Sequence, residues 1–578
     1  MRYEKLAPAL AVAYDDYERG GVEALVAHAE LLGVVASPGL ARPPRIVAFL
    51  VLAEAVDARR WEHLGVELNM EAGPVRTGIV AFDAIGELTD DPALVRLVPA
   101  ERLAPLMDVA PGKVNLPRWR DETGLDGQGV VVGIVDTGIY AAHPDFSGRV
   151  LRIWDQTLSG PGVAEGAYGV ELTGELLGVS RDTFGHGTHV AGIAAGAEAR
   201  YRGVAPAADL VIVKTDLLTA TIADGIRYVF RVAGELGRPA VVNLSLGGQA
   251  DPHDGTDALS AIVDAESGPG RIVCCAAGND GDRDIHARAL VAEGPGVTVW
   301  ASVPAVPGGP AAAAAITAWY PGGDELEVAV IGPSGEQTPF QGPVTGRPTT
   351  TRDLADGTVR LTTPSPDPVN GDHNVFVQLL PRPVPGAIQP DRWGLRFRAV
   401  RAPSPGSRLD LWILGPGNQF TGRHTDDAVK VGSPGAATQA VTVASYTTRT
   451  VWTDAGGDEH RSGFAIDTIS DFSSEGPRRD GEPKPDVTAP GSMIISARSA
   501  HAPMAPELVI DGLHVALQGT SMACPFVTGL VALLLQRDPT LDPGGVKAAL
   551  QAASVIPDTE PGTFDPQWGY GLVDASGL

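Results

Sequence analysis

Val130-Val131-Val132-Gly133-Ile134-Val135-Asp136-Thr137-Gly138 is the stretch from which the fold follows. Five β-branched residues and one glycine end abruptly in an acid and a turn. A continuous apolar run of this length predicts a strand buried on both faces, as in a parallel sheet flanked by helices. The fold class is therefore α/β. The acid falls at the carboxyl end of the strand, where open α/β sheets place their sites.

Two further stretches supply chemistry. In Gly185-His186-Gly187-Thr188-His189-Val190-Ala191-Gly192, glycines flank a histidine at the entry to a small-residue helix. Nothing bulky hides that imidazole, and the backbone can approach a neighbour closely. In Gly519-Thr520-Ser521-Met522-Ala523-Cys524-Pro525-Phe526, a small-residue turn sets a hydroxyl at the head of an apolar helical segment, Phe526 to Leu535. Free backbone N–H groups and the positive end of the helix dipole face such a serine. Taken alone, Ser521 reads more readily as a plain N-cap, the usual role of a serine at a helix start. Together the three residue types make a nucleophile system. Serine needs a base to take its proton, and imidazole titrates near neutrality and can return it. A buried carboxylate fixes the imidazole tautomer. Ser521 is the candidate nucleophile, His186 the general acid/base and Asp136 its orienter.

These motifs, in the chain order Asp, His, Ser, resemble the subtilisin-like serine peptidases, the subtilases. Val242-Asn243-Leu244-Ser245-Leu246-Gly247-Gly248 is similar to that family's strand for the peptide substrate, and Ile272 to Asn279 to the strand that delivers the oxyanion-hole amide. Phe472 to Pro477, Lys484 to Gly491 and Trp568 to Ala575 resemble further family segments. The resemblance covers Val114 to about Asp282 and about Gly432 to the C-terminus. It implies Asn279 as oxyanion donor. It also implies Ser245, Leu246, Gly247, Ala276, Ala277 and Gly278 as substrate-binding positions. By residue chemistry alone, Asn279 also fits an ordinary turn, and Ser245 to Gly248 an ordinary strand exit.

Other residues carry less. His189 is expected to be a buried structural histidine. The spacing of His186 and His189 does not match a zincin helix, so no metal site is expected. Asp145 matches a calcium ligand of many subtilases, but Ala197-Glu198-Ala199-Arg200-Tyr201-Arg202 lacks the Asn-rich turn that completes the strong site. No cofactor is expected to be required, and a strong calcium site is not expected. The serine motif is not Gly-x-Ser-x-Gly, which argues against an α/β-hydrolase esterase.

Four regions are expected. Residues 1–43 form an N-terminal helical segment. Residues 44–108 hold strand Arg45 to Leu52, helix Asp57 to Leu64, strand Val75 to Phe82, helix Asp83 to Leu88 and strand Leu94 to Val98. This order resembles the ferredoxin-like subtilase propeptide. By that resemblance the domain acts as intramolecular inhibitor or chaperone. Its tail, Leu103 to Val109, would lie in the cleft and be cut between about Pro105 and Val114; a permanent accessory domain is the other reading. Residues 109–282 and 432–578 form the catalytic domain. Residues 283–431 are an insertion rich in Pro and Gly. Its seven short β-like runs are Val297 to Val303, Ala314 to Tyr320, Leu326 to Ile331, Val359 to Thr362, Asn374 to Leu380, Trp393 to Val400 and Leu409 to Leu414. Such runs predict a β-sandwich. A jelly roll here resembles the clostridial Csp-type subtilases, as does Ile153-Trp154-Asp155-Gln156-Thr157.

The chain has 578 residues, a net charge of -26 and 44% hydrophobic residues. That length calls for several cores. The charge argues against nucleic acid and against anionic membranes. Three cysteines exclude a disulfide framework, and Cys274 and Cys275 are expected on opposite faces of one strand. No run is expected to span a membrane. The first residues do not read as a signal peptide, so a cytoplasmic location is expected. The partners expected are a protein or peptide substrate and the chain's own N-terminal domain. The function expected is a serine endopeptidase working through an acyl-enzyme. Two rivals use the same motifs: a catalytically silent pseudoprotease scaffold, and a peptide ligase or macrocyclase. Fluorophosphonate labelling separates the first rival, and product masses with added amine the second.

Overall fold

The structure, a computed structural model, describes every residue except 29–33, 36–43, 54–56, 58, 70–72, 100–103, 106–111, 199, 305–313 and 383–390. The chain forms two compact units: Arg102–Gly248 with His253–Asp282 and Val429–Leu578, and Met1–Glu101 with Gln249–Pro252 and Arg283–Ala428.

The first unit is built on a ten-stranded sheet. The Asp136 strand, Val131–Asp136, lies near its middle, parallel to Asp209–Lys214 on one side and Ala240–Leu244 on the other. Arg271–Ala276, Val441–Thr447 and Val487–Ser492 continue in parallel beyond Ala240–Leu244. All six residues of Val131–Asp136 are buried, as the apolar run predicted. Gly133 is needed there, because a Cβ would overlap the Val229 side chain of helix Thr219–Glu235. The histidine helix, His186–Ala195, and the serine helix, Thr520–Arg537, pack together in the same unit. Val190, Val527 and Leu530 join its main apolar cluster, each such side chain worth roughly 1.5–3 kcal/mol when fully buried. Cys274 sits in that cluster; Cys275, next along the strand, is buried but points away from it. All three cysteines are free and buried.

One membrane expectation needs correction. Among the described residues one helix, Thr520–Arg537, is long and apolar enough by composition to cross a membrane. It is 89% buried in the protein and is a core helix. The run Phe526 to Leu535 understated it, because helical backbone extends back through Pro525 to Thr520.

In the second unit the N-terminal part has an antiparallel sheet. Leu94–Pro99, Arg45–Leu52, Val75–Ala81 and Glu67–Leu68 are neighbours in that order. This is the strand order of a ferredoxin-like fold. The first helix, Pro8–Ala24, is not part of a separate segment. Tyr3, Leu6 and Leu10 share one core with Ile46, Leu50 and Leu97, so the expected boundary at residue 43 does not divide two cores. The helix expected over Asp57 to Leu64 is reduced to a turn and a 3-10 segment, Glu62–Leu64. Most of the expected cleft tail lies outside the described residues; only the backbone of Ala104–Pro105 is described.

The insertion is a sandwich of a six-stranded and a four-stranded antiparallel sheet around one core. All seven expected strands are present. Three more, His286–Val291, Thr349–Leu354 and Gln419–Thr421, escaped the sequence reading. Thr349–Leu354 is mostly polar and Gln419–Thr421 is only three residues long, so neither presents an apolar run.

Candidate active site

Asp136, His186 and Ser521 are each almost wholly buried. Asp136 ends its strand, and its Oδ1 lies 2.7 Å from His186 Nδ1. The carboxylate can only accept, so Nδ1 carries the proton and Nε2 keeps its lone pair in the neutral ring. The Thr137 N–H donates to the same Oδ1 at 2.7 Å.

The histidine helix is aimed by a residue that no motif identified. Its N-cap is Gly185, which has no side chain to cap with and sits at φ 91°. Asp182 does that work from three residues upstream. Its Oδ1 accepts from the Gly185 N–H and the Thr137 hydroxyl, at 2.7 and 2.9 Å. Its Oδ2 accepts from the Thr188 N–H and hydroxyl, at 2.9 and 2.6 Å. One buried carboxylate thus ties the end of the Asp136 strand to the first turn of the His186 helix. Gly187 lets the two meet, because a Cβ there would fall inside contact distance of Gly138 O. The signal in sequence was an aspartate shortly before a helix start, too common to stand out.

The serine helix contains Pro525. Proline has no N–H for the carbonyl four residues back, which is that of Ser521. That carbonyl accepts from the Ser245 hydroxyl instead, at 2.6 Å. The Ser521 hydroxyl returns the favour, donating to the Ser245 carbonyl at 2.8 Å. Ser245 Oγ in turn accepts from Asn243 Nδ2, and Asn243 Oδ1 from the Thr528 hydroxyl, both at 2.9 Å. Ser245 therefore anchors the serine through its side chain, a role beyond the substrate position expected for it. Asn243 was the legible clue: a polar residue inside an apolar strand must find partners.

Asn279 is oriented by Thr520. Its Oδ1 accepts from the Thr520 N–H at 3.0 Å and hydroxyl at 2.8 Å. With the oxygen so engaged, Nδ2 is left as the donor end of the amide. The Ser521 N–H belongs to the first helical turn, whose amides lack intrahelical acceptors. Ala276 and Ala277 are buried, and Gly278 N–H donates to Thr520 Oγ1 at 3.2 Å. Leu246–Gly247 forms a short strand whose antiparallel partner is Ala104–Pro105.

His189 Nε2 lies 3.2 and 3.1 Å from the carbonyls of Ile494 and Val515. Burial, and then the neighbouring His186, lower its pKa to about 3. It is a neutral structural histidine. Asp145 is committed to its loop: Oδ1 accepts from the Glu198 N–H at 2.7 Å and its carbonyl from the Ala197 N–H at 3.2 Å. Oδ2 is left without a hydrogen bond among the described residues.

Residues 127–316 and 411–571, more than half of the chain, match the subtilase family of S8 peptidases. The chain belongs to the subtilase family. Over 164 residues this subtilase is 33% identical to the serine protease AprX of Bacillus subtilis, covering 27% of this chain and 33% of that one. Over 200 residues it is 33% identical to the subtilisin-like protease PopC of Myxococcus xanthus, covering 30% of this chain and 39% of that one. The matched span is thus well under half the length of these curated relatives. Among solved structures, the Clostridium perfringens CspB protease superposes with a TM-score of 0.64 at 22% identity, over 80% of this chain and 96% of that one. That likeness supports the shared fold.

Proposed function

We propose that this subtilase is a serine endopeptidase with Ser521 as nucleophile, His186 as general acid/base, Asp136 as orienter and Asn279 as oxyanion donor. The observation that carries the reading is the 2.7 Å Asp136–His186 hydrogen bond. It fixes the tautomer that a serine base requires.

The Ser521 hydroxyl proton points to the Ser245 carbonyl. Catalysis requires rotation about the serine Cα–Cβ bond to bring that proton to His186 Nε2. Oγ then attacks the scissile carbonyl as Nε2 takes the proton, and Asp136 stabilises the imidazolium. Asn279 Nδ2 and the Ser521 N–H receive the negative oxygen. Nε2 gives its proton to the departing amine, leaving an ester on Ser521. Water, deprotonated by the same Nε2, hydrolyses that ester. The substrate adds as a strand along Leu246–Gly247, against the small residues Ala276 to Gly278.

The N-terminal domain completes the proposal as an intramolecular inhibitor. Its support is the Ala104–Pro105 backbone, paired with the strand a substrate would use. Cleavage between about Pro105 and Val114, by the enzyme itself, frees that edge.

A fluorophosphonate probe tests the chemistry. Labelling is expected, and Ser521→Ala abolishes it, with turnover lowered on the order of a millionfold. Equal labelling of both proteins, or of neither, overturns the reading. Gel analysis with N-terminal sequencing tests processing: wild type yields a new N-terminus in this window and Ser521→Ala does not.

A further inference from the structure

The inserted sandwich is not closed along one edge. Its six-stranded sheet has Thr349–Leu354 as an end strand, and its four-stranded sheet has Glu325–Ile331. In the ladder of the first edge, Arg352 stands opposite Val359 and Thr350 opposite Leu361. Cross-strand partners share a face of the sheet, and Val359 and Leu361 belong to the sandwich core. Arg352 and Thr350 therefore also face inward. An apolar core cannot enclose an arginine without a partner. The sheets part here instead and leave a cavity of about 300 Å³ that opens to solvent. These polar inner positions are also why the strand presents no apolar run.

Gln341 bridges the two sheet edges at this cavity. Its backbone pairs with Val328 of the four-stranded sheet. Its Oε1 accepts from the Thr350 hydroxyl at 2.7 Å, and its Nε2 donates to the Pro348 carbonyl and to Thr363 Oγ1, both at 2.7 Å. Both ends of the amide are engaged, which fixes that wall in one shape. Phe340, Val344, Val359 and Leu361 supply apolar lining. The charged groups are cationic. Arg347 takes Asp15 at 2.9 Å. Beside the Phe340 ring stand Arg398, 4.1 Å from the ring centre, and Arg396 at 6.0 Å. Arg398 takes Glu327 at 2.5 Å. Arg352 and Arg396 donate to carbonyls, those of Thr351 at 3.2 Å and Pro295 at 3.5 Å, and form no ion pair among the described residues. Asp353, next along the strand from Arg352, points to the opposite face and takes Arg382 at 3.6 Å. Positive charge thus gathers around one cavity in a chain whose net charge is -26.

We propose that this cavity binds a small organic acid, a carboxylate on an apolar body. Arg352 takes the carboxylate through its forked guanidinium. Phe340, Val344, Val359 and Leu361 cover the body. The volume lies at the lower end of small-molecule sites, so the body is the size of one aromatic ring with a short chain. The excess of cations selects the acid over a neutral relative of the same shape. Binding there draws on no residue of the catalytic apparatus.

Titration of the full-length Ser521→Ala chain with hydrocinnamate, followed by saturation-transfer NMR of the ligand, tests the site. Saturable binding is expected, with a Kd on the order of a millimolar or tighter, as suits so small a ligand. Arg352→Gln should weaken it at least about tenfold. Arg352→Lys should weaken it less, because lysine keeps the charge and loses only the fork. Arg382→Gln, which removes a cation from the opposite face, should leave the affinity unchanged. The neutral amide, hydrocinnamamide, should bind at least about tenfold more weakly than the acid. Val344 is an exposed rim residue, so Val344→Trp should fill the cavity and abolish binding at an unchanged melting temperature. Absence of saturable binding overturns the proposal, as does an affinity that Arg352→Gln and Val344→Trp both leave unchanged. Equal binding of acid and amide overturns it too, and so does an equal loss in Arg352→Gln and Arg382→Gln, which would mark a general charge effect.

Discussion

Three side chains of this subtilase are set by polar partners, two of them more than 200 residues away in sequence. Asp182 aims His186, Ser245 holds Ser521, and Thr520 turns the Asn279 amide. The last of these has a direct kinetic consequence. Asn279→Leu removes the proposed oxyanion donor while keeping similar bulk. Turnover should fall about a hundredfold to a thousandfold with little change in KM, because the donor acts only on the developing charge. Steady-state kinetics on a peptide substrate checks it. A rise in KM at unchanged turnover would instead make Asn279 a substrate-binding residue.

Between elements, His189 ties the histidine helix to the two-stranded ribbon Ile494–Ala497 and His514–Leu517. Its pKa in the folded protein is lowered to about 3 by burial, against roughly 6.5 when unfolded. The unfolded chain therefore binds the extra proton first as pH falls. The neutral ring's stability is fully present above about pH 6.5 and is lost progressively toward pH 3, reaching about 2 kcal/mol lost at pH 5. Melting temperatures at pH 7 and pH 5 should drop more for wild type than for His189→Gln, whose amide can still donate to the two carbonyls. An equal drop in both proteins would remove His189 as the source. The proline in the serine helix is another element-scale device. By withholding one N–H it frees the Ser521 carbonyl for Ser245 and so couples the helix start to the neighbouring strand.

At the scale of the whole molecule, two compact units predict more than one cooperative transition. Scanning calorimetry of Ser521→Ala should resolve at least two. The N-terminal domain and sandwich should melt together, because the helix Pro8–Ala24 closes the outer face of the sandwich sheet. A single transition with equal calorimetric and van't Hoff enthalpies would contradict this division. The boundary expected at residue 43 fails at this scale for the same reason. Domain limits follow shared cores, and Tyr3, Leu6 and Leu10 share theirs with the strands after it.

By itself, the sequence determined the α/β class, named three candidate reactive side chains and located seven of the sandwich strands but not His286–Val291, Thr349–Leu354 or Gln419–Thr421. An apolar run with period two, or with none, must be buried somewhere, and a nucleophile system needs particular residue types. Those are local properties of the chain. Only the tertiary structure decided which polar groups answer one another: Asp182 with Thr137 and Thr188, Ser245 with Ser521, Asp16 with Arg360. A lone aspartate or serine has the same sequence signal whether it faces water or a partner hundreds of residues away. Burial imposes the demand for a hydrogen bond, and folding alone selects the group that meets it.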